Sequence, residues 1–253
     1  MELFDTILLI DKPVGITSFD VIRRLRKELG GPTPKSTKFK IKLGHAGTLD
    51  PLASGLMLIG VGEGTKMLTE YIGLDKEYIA EILVGERRST GDMEGKILEE
   101  KSVDEIFSDE KISSTLSGML GTLHLPVSAY SAIKMGGVPM YKRARKAEKT
   151  GEIVTDVPVR DMEVLEVELL SVKYIAVNRD MDSPTRTGES SRRAVVTVRF
   201  HVGSGTYVRS LAEEFGKRLF YPATLRNLRR TKIGKFDIND ACTLDMKNRG
   251  GRP

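Results

Sequence analysis

The sequence predicts an α+β fold with a central, largely antiparallel, mixed β-sheet flanked by helices and loops. Strand-like and helix-like segments are mixed along the chain without the strict alternation that a doubly wound parallel sheet requires. Two strand-like segments, 164–175 and 194–202, follow one another as a pair, and no internal repeat is visible. A chain of 253 residues can bury a substantial core.

The first half of the chain begins with a buried strand, because residues 6–10 form a continuous apolar run rich in β-branched residues. Thr17 or Ser18 then caps a helix over 19–29, where the apolar residues recur at helical spacing. Tyr78 shares a strand face with Ala80. The remaining elements predicted here are a strand at 56–62, a short helix that opens with residues 64–68 and a strand at 77–84.

The second half is predicted to contain helices at 103–120, 140–149 and 206–219, with a turn and short helix at 223–230. The polar, unpatterned stretch 178–193 between the paired strands predicts a disordered or flexible hairpin tip. The polar and basic stretch 30–42 is predicted to be either a mobile arm that contacts phosphate or a solvated loop.

Composition limits the classes of function. Forty Lys and Arg against 35 Asp and Glu give a net charge of +5, a modest excess that suits contact with a polyanion. A single cysteine, Cys242, excludes an intrachain disulfide, and three scattered histidines give no metal-ligand spacing, so we expect no metal and no cofactor. No apolar run reaches the roughly 18 residues of a membrane span, and the acidic N-terminus is unlike a signal peptide, so we expect a cytoplasmic protein.

The segment 43–55, LGHAGTLDPLASG, places a lone carboxylate, Asp50, in a loop dense in glycine and stiffened by Pro51. Glycines permit backbone angles and close approaches that side chains forbid, and a proline biases the residue before it away from helix. Asp50 is therefore a candidate nucleophile presented to a cleft. The alternative is a turn in which Asp50 caps a following helix.

The Asp50 loop and five further segments, which run in order from Asp11 to Phe236, resemble motifs of the TruB family of tRNA pseudouridine synthases. The segment around Asp50 is similar to that family's catalytic Gly-His-x-Gly-x-Leu-Asp-Pro loop. The others are DKPVGITS at 11–18, KEY at 76–78, YSAIK at 130–134 with Tyr141 and Ala144-Arg145, and GTYVRSL at 205–211, followed by the closing LRRT at 228–231 with Gly234 and Phe236. Several ordered motifs over nearly the whole chain carry more weight than any one of them.

The resemblance implies a pseudouridine synthase fold with an active-site cleft across the sheet, and a role for each matching residue. Asp50 reacts with the target nucleoside: it attacks the ribose C1′, attacks the uracil C6, or helps to remove a proton from C2′. Tyr78 stacks on the base, although a strand tyrosine outside such a motif is typically core. By the same resemblance, Arg209 is the cation that keeps Asp50 ionised, and Tyr207 contacts the substrate. His45 fills the space left by the flipped nucleotide, and Leu228 lines the pocket. The remaining matching residues support the loop (Lys12, Pro13, Gly44, Gly47) or contact RNA (Lys134, Arg145, Arg229, Arg230).

The implied activity is conversion of uridine to pseudouridine at position 55 in the T loop of tRNA, by base flipping and without a cofactor. The expected partner is the tRNA T stem-loop, with no obligatory protein partner, and we expect a monomer. The expected organisation is a catalytic domain at 1–240, including the flexible insertion 178–193, and a short tail at 241–253 without the PUA domain of many members. Two alternatives remain: a tRNA-folding chaperone without catalysis, and a guide-dependent synthase acting on ribosomal RNA.

Overall fold

The computed structural model describes residues 6–29, 41–131, 133–150, 154, 156–177 and 191–244. Its residues cluster into two compact units, one from the described parts of 1–78 and 228–253 and the other from those of 79–227. The strands include a large mixed sheet, which confirms the predicted α+β class. None of the described helices is both long enough and apolar enough to span a membrane.

The first unit contains a mixed sheet with the strand order β14-β1-β3-β12, in which β2 also pairs with β3 and β13 pairs with β12. Its elements are β1 (Ile7–Lys12), α1 (Ser18–Glu28), β2 (Leu43–Ala46), β3 (Ala53–Val61), α2 (Leu68–Ile72), the start of β4 (Lys76–Val84), the end of β12 (Ala223–Ile233), β13 (Phe236–Asp237) and β14 (Cys242–Thr243). β1 and β2 are antiparallel to β3, whereas β12 is parallel to β3 and β14 is parallel to β1. Two 3₁₀ helices, Gly62–Lys66 and Ile238–Asp240, join these elements.

The second unit contains the strand order β4-β11-β10-β7, together with two small hairpins. Its elements are β5 (Glu86–Arg88), β6 (Ile97–Glu100), α3 (Asp109–Ser117), β7 (Gly121–Pro126), β8 (Lys134–Met135), β9 (Val138–Pro139), α4 (Met140–Lys149), β10 (Val159–Val177), β11 (Ser191–Val202) and α5 (Val208–Arg218). The long antiparallel pair β10 and β11 confirms the paired strands predicted from the sequence. β4 and β12 each contribute residues to both units.

Helix α1 begins and ends close to the predicted bounds. Thr17 is its N-cap, and a capping box forms because the Thr17 side chain accepts from the Asp20 amide while the Asp20 carboxylate accepts from the Thr17 amide. The predicted apolar face is buried at Val21, Ile22 and Leu25. The sheet of the first unit packs its own cluster of buried apolar side chains, which comprises Ala46, Leu56, Leu58, Leu68 and Ile233.

Two predicted helices differ in the structure. Residues 223–230, predicted as a turn and short helix, belong to strand β12. A buried arginine in this segment breaks the apolar alternation that is typical of a strand, and the segment is nevertheless a strand because it pairs with β3. The helix predicted at 103–120 is confined to α3, since Ser108 caps it and the backbone of Val103 instead bonds to Arg192.

The predicted flexible segments fall largely outside the described residues. In the hairpin tip 178–193, only residues 191–193 are described, and they are not a tip but the start of β11, paired with the end of β10. In the predicted arm 30–42 only residues 41 and 42 are described. Part of the predicted tail 241–253 is strand β14, and residues 245–253 lie outside the described residues.

Gly55 is expected to be the glycine least tolerant of substitution. Its φ is +109°, and an added Cβ would lie 2.2 Å from the carbonyl oxygen of Arg230 on the neighbouring strand. Backbone atoms cannot move aside as a flexible side chain can, so we expect Gly55→Ala to lower the free energy of unfolding by about 3 kcal/mol or more. Urea unfolding followed by circular dichroism measures this loss.

Gly121→Ala is the matched control for that substitution. Gly121 has a φ of +89°, but nothing lies within 4 Å of an added Cβ. The Gly121→Ala variant therefore has the backbone strain of a positive φ without a steric clash. We expect a loss of only about 1–2 kcal/mol in this variant. Equal losses in the two variants would contradict the close approach of the two backbones at Gly55.

Candidate active site

The Asp50 loop is held by hydrogen bonds from the turn and the helix that follow β1. The Ser18 hydroxyl donates to the Leu49 carbonyl (2.9 Å) and accepts from the Leu49 amide (2.8 Å), and Ser18 is buried. The Gly15 amide donates to the Pro51 carbonyl at 2.8 Å. Both neighbours of Asp50 in the chain are therefore fixed by backbone contacts, which limits the directions in which its carboxylate can point.

Lys12 organises the turn that contacts this loop. Its side chain is fully buried, and its ammonium donates to the carbonyls of Pro13 (3.0 Å) and Ile16 (2.7 Å). Pro13 itself is exposed. An ammonium that donates to backbone carbonyls holds a turn closed. These contacts fit the predicted role of Lys12, which is to support the Asp50 loop.

The glycines of the loop act in two ways. Gly47 has a φ of +87°, which residues with a side chain rarely adopt. Gly44 lies in β2 without a positive φ, but an added Cβ there would lie 2.9 Å from the Leu68 side chain. The structure therefore confirms the special backbone angle at Gly47, and at Gly44 it reveals a close contact instead.

Three further residues with predicted site roles lie in the first unit. His45 lies in β2, and its pKa is lowered by burial and further by the Arg230 guanidinium, so the imidazole is neutral at pH 7. Tyr78 in β4 and Leu228 in β12 are both buried, with 7% and 8% of their surfaces exposed. An aromatic ring and a leucine with so little contact with water are suited to a closed, apolar pocket.

Lys76 is a buried cation beside these residues, and it gives a pH-dependent prediction. Its ammonium donates to the carbonyls of Ile72 and Leu74, while burial, helped by the Arg230 charge, lowers its pKa to about 8 from the ordinary 10.5. Between those values the unfolded chain binds a proton that the folded chain has released, so the contribution of Lys76 to stability rises with pH across this window.

We expect Lys76→Met to remove that rise. The free energy of unfolding of the unsubstituted protein, measured in urea, is expected to increase relative to that of the variant as the pH goes from below 8 to about 10.5. Lys66→Met is the matched control, because the Lys66 side chain is 71% exposed. Parallel pH curves for Lys76→Met and the unsubstituted protein would contradict the expectation.

The structure revises the role of one of the four predicted RNA contacts. Arg230 is only 1% exposed, and its guanidinium donates to backbone carbonyls, so its donors face the protein and not a phosphate. Arg229 is accessible, with 42% of its side chain exposed, and it pairs with Asp11 at 2.7 Å. In the second unit, Lys134 in β8 and Arg145 in α4 are both exposed.

Arg209 lies at the start of α5, buried within the second unit. One terminal nitrogen donates to the Thr90 carbonyl (3.1 Å) and to the Ser128 hydroxyl (3.0 Å), and it lies 3.6 Å from the Asp92 carboxylate. The other terminal nitrogen lies 3.5 Å from the Tyr130 carbonyl. The guanidinium is therefore fixed in place by its own unit. Tyr207 is the N-cap residue of the same helix.

Asp92 and Thr90 also belong to this arrangement, although neither lies in a motif described above. Asp92 is 3% exposed, and its carboxylate accepts from the Thr90 hydroxyl (2.5 Å) and the Glu94 amide (3.1 Å). The available signal was the segment STGDMEG at 89–95, in which an aspartate stands among glycines, as Asp50 does in its own loop. The predicted site residues thus fall into two groups, one within each unit.

Among the residues that the structure describes, no group of three or more His, Cys, Asp or Glu side chains is arranged to hold a metal ion. The chemistry available in the described groups comes from a braced carboxylate, a fixed guanidinium, a neutral imidazole and a buried phenol ring. These groups can supply a nucleophile or base, a counter-charge and an aromatic face.

Comparison with known proteins identifies the family. The sequence profile described as TruB family pseudouridylate synthase (N terminal domain) matches residues 35–208. The chain belongs to this family. Similar relatives named tRNA pseudouridine synthase B occur in Corynebacterium diphtheriae (33% identity, 94% of this chain and 71% of the relative), Leifsonia xyli subsp. xyli (37%, 94% and 70%) and Desulfotalea psychrophila (38%, 95% and 87%).

Solved structures share the fold of this TruB-family chain. A chain in an H/ACA RNP bound to a substrate RNA containing 2′-deoxyuridine matches with a TM-score of 0.58, and one in a Cbf5-Nop10-Gar1 complex with 0.61. Both are 22% identical in sequence, and each match covers 94% of this chain. This chain covers 50% and 52% of those longer chains.

Proposed function

We propose that this protein converts uridine to pseudouridine at position 55 in the T loop of tRNA. Membership of a pseudouridylate synthase family supports the reaction, and the name tRNA pseudouridine synthase B carried by its relatives supports the substrate. The observation that carries the proposal is the Asp50 loop, in which Ser18 and Gly15 fix the backbone on both sides of a single carboxylate.

The reaction is an isomerisation that needs few groups. The bond between C1′ and N1 of the uridine breaks, the uracil turns, and a bond forms between C1′ and C5; C5 then loses its proton and N1 gains one. Nothing is oxidised and no second substrate is consumed, so one nucleophile or base in a closed site suffices. In this proposal Asp50 supplies that group, by attack on C1′, by attack on C6, or by removing the C2′ proton.

The other site residues have supporting roles in the proposal. The target nucleotide must leave its stack before an enzyme reaches both base and sugar. The Tyr78 ring then stacks on the uracil, for which a contribution of about 1–3 kcal/mol per base is typical. Leu228 excludes water, and His45, neutral at pH 7, occupies the space that the nucleotide leaves. Arg209, which the contacts within its own unit fix in place, supplies a positive charge for the reaction.

The proposed RNA contacts are three accessible cations of the predicted set. Lys134 and Arg145 are exposed, and Arg229 is partly so; phosphate contacts of this kind give affinity that falls as salt rises. We propose that the protein acts in the cytoplasm as a monomer and needs neither a cofactor nor a protein partner for catalysis.

The test is an assay of the purified protein on an unmodified tRNA transcript, without guide RNA or other protein, with pseudouridine mapped by position. We expect one pseudouridine per tRNA, at position 55. The matched control is a transcript with cytidine at that position, which should acquire none. Binding without any pseudouridine would favour the chaperone alternative, and activity only on addition of a guide ribonucleoprotein would favour the guide-dependent one; either outcome would overturn the proposal.

A further inference from the structure

The guanidinium of Arg230 connects the two ends of the Asp50 loop. Its Nε donates to the carbonyl of Leu56 at 2.7 Å, and one terminal nitrogen donates to the carbonyl of Gly47 at 3.2 Å. Asp50 lies between these two carbonyls in the chain. One planar group from a different strand therefore spans the segment that carries the proposed nucleophile.

The backbone of Arg230 is attached to the same loop. In the parallel pairing of β12 with β3, Arg230 stands opposite Gly55, and the close approach of the two strands at that point admits no side chain on Gly55. On the other edge of β3, Gly55 pairs with Lys12, the residue that closes the β1–α1 turn. Arg230 is thus fixed by its own main chain before its side chain reaches the loop, so the guanidinium has little freedom to follow a loop movement.

The charge of Arg230 has an unusual environment for a buried side chain. Within the described residues, no carboxylate forms an ion pair with it, and its hydrogen-bond acceptors are the two backbone carbonyls. The positive charge of Arg230 nevertheless acts on two neighbouring groups, since it helps to lower the pKa values of both His45 and Lys76. A buried cation without a carboxylate partner is a costly arrangement for stability alone, and apolar residues often replace buried charges without loss.

We propose that Arg230 is a positioning residue for pseudouridine formation, which holds the start and the end of the Asp50 loop in register so that the carboxylate meets the nucleoside at one angle. This inference rests on the proposed function. It requires the planar fork of arginine, because a lysine ammonium keeps the positive charge but cannot hold two carbonyls in a fixed mutual orientation. A misplacement of about 1 Å at a reacting group can cost about a hundredfold in rate.

The kinetic test compares Arg230→Lys and Arg230→Met with the unsubstituted protein at saturating tRNA. We expect kcat per folded molecule to fall about a hundredfold in both variants, with KM changed by less than about threefold. Arg226→Lys is the matched control, since Arg226 is another arginine of β12 but is partly exposed, and it should keep the original kcat. A kcat within about threefold of the original in folded Arg230→Lys would overturn the inference, because charge alone would then suffice.

A second measurement needs no activity. Hydrogen exchange of the Leu49 and Ala53 amides, which bond to Ser18 and to the Asp50 carbonyl, reports the order of the loop in the free protein. We expect faster exchange at these amides in Arg230→Lys at a temperature where the variant is folded, with no change in Arg226→Lys. Unchanged exchange would overturn the inference even if the enzyme is active, whereas an inactive unsubstituted protein would overturn only the proposed function.

Discussion

Asp50→Asn is expected to bind tRNA with nearly the original affinity and to form pseudouridine at a rate lower by on the order of 10⁴-fold. The amide has the size of the carboxylate, and the contacts of Ser18, Gly15 and Arg230 with the loop are made to backbone atoms of other residues, so the backbone should keep its conformation. What is lost is the negative oxygen that, in the proposed reaction, attacks the nucleoside or accepts its proton. Single-turnover assays measure the rate, and filter binding measures the affinity.

Glu63→Gln is the matched control for Asp50→Asn. Glu63 is a carboxylate of the same unit, but its side chain is 66% exposed and pairs with Lys66 on the surface, so activity should be unchanged. Full turnover in Asp50→Asn would show that Asp50 is not the reacting group. Loss of both binding and turnover, with a lower melting temperature, would point to Asp50 as a structural cap.

Arg209→Met is expected to lower the rate of pseudouridine formation by about 10²- to 10³-fold, because fixed charges in a closed site stabilise developing or desolvated charge. The variant is also expected to lose about 3 kcal/mol of stability, since the 3%-exposed Asp92 carboxylate loses its buried cation. Urea unfolding and a single-turnover assay on the same preparation measure the two effects.

A double-mutant cycle separates the stability effect of Arg209 from its role in the reaction. Adding Asp92→Asn to Arg209→Met should recover part of the lost stability, because no unpaired buried charge remains, while the rate stays low. The control is Arg218→Met on the same helix, where the partly exposed pair with Glu214 predicts a loss of about 1 kcal/mol or less. Recovery of the rate in the double variant would contradict a direct role for the Arg209 charge.

The sequence predicted the features that depend on short-range chemistry. A cap at Thr17 or Ser18 and special backbone angles at Gly47 and Gly55 follow from the residue types within a few positions; the structure has both angles and places the cap at Thr17. The paired strands β10 and β11 were visible because apolar and β-branched residues recur along both. These signals are local, so tertiary contacts do not have to be known to detect them.

The features that depend on distant strands were not predictable in the same way. β12 was predicted as a turn and short helix because Arg229 and Arg230 interrupt its apolar pattern, and only the pairing with β3 explains why an arginine is buried there. Asp92 was missed for a similar reason: its partner Arg209 is far from it in the sequence. A buried charge is recognisable only once the groups that compensate it are known.

The attachment of Arg230 to the Leu56 carbonyl joins residues separated by 174 positions in the chain. During translation, the loop that carries Asp50 leaves the ribosome long before the strand that fastens it, and a parallel pairing of such sequence separation forms late in folding. A nascent chain interrupted before residue 223 would carry the carboxylate but not β12. Catalytic competence should therefore appear only after β12 has been synthesised and has paired with β3.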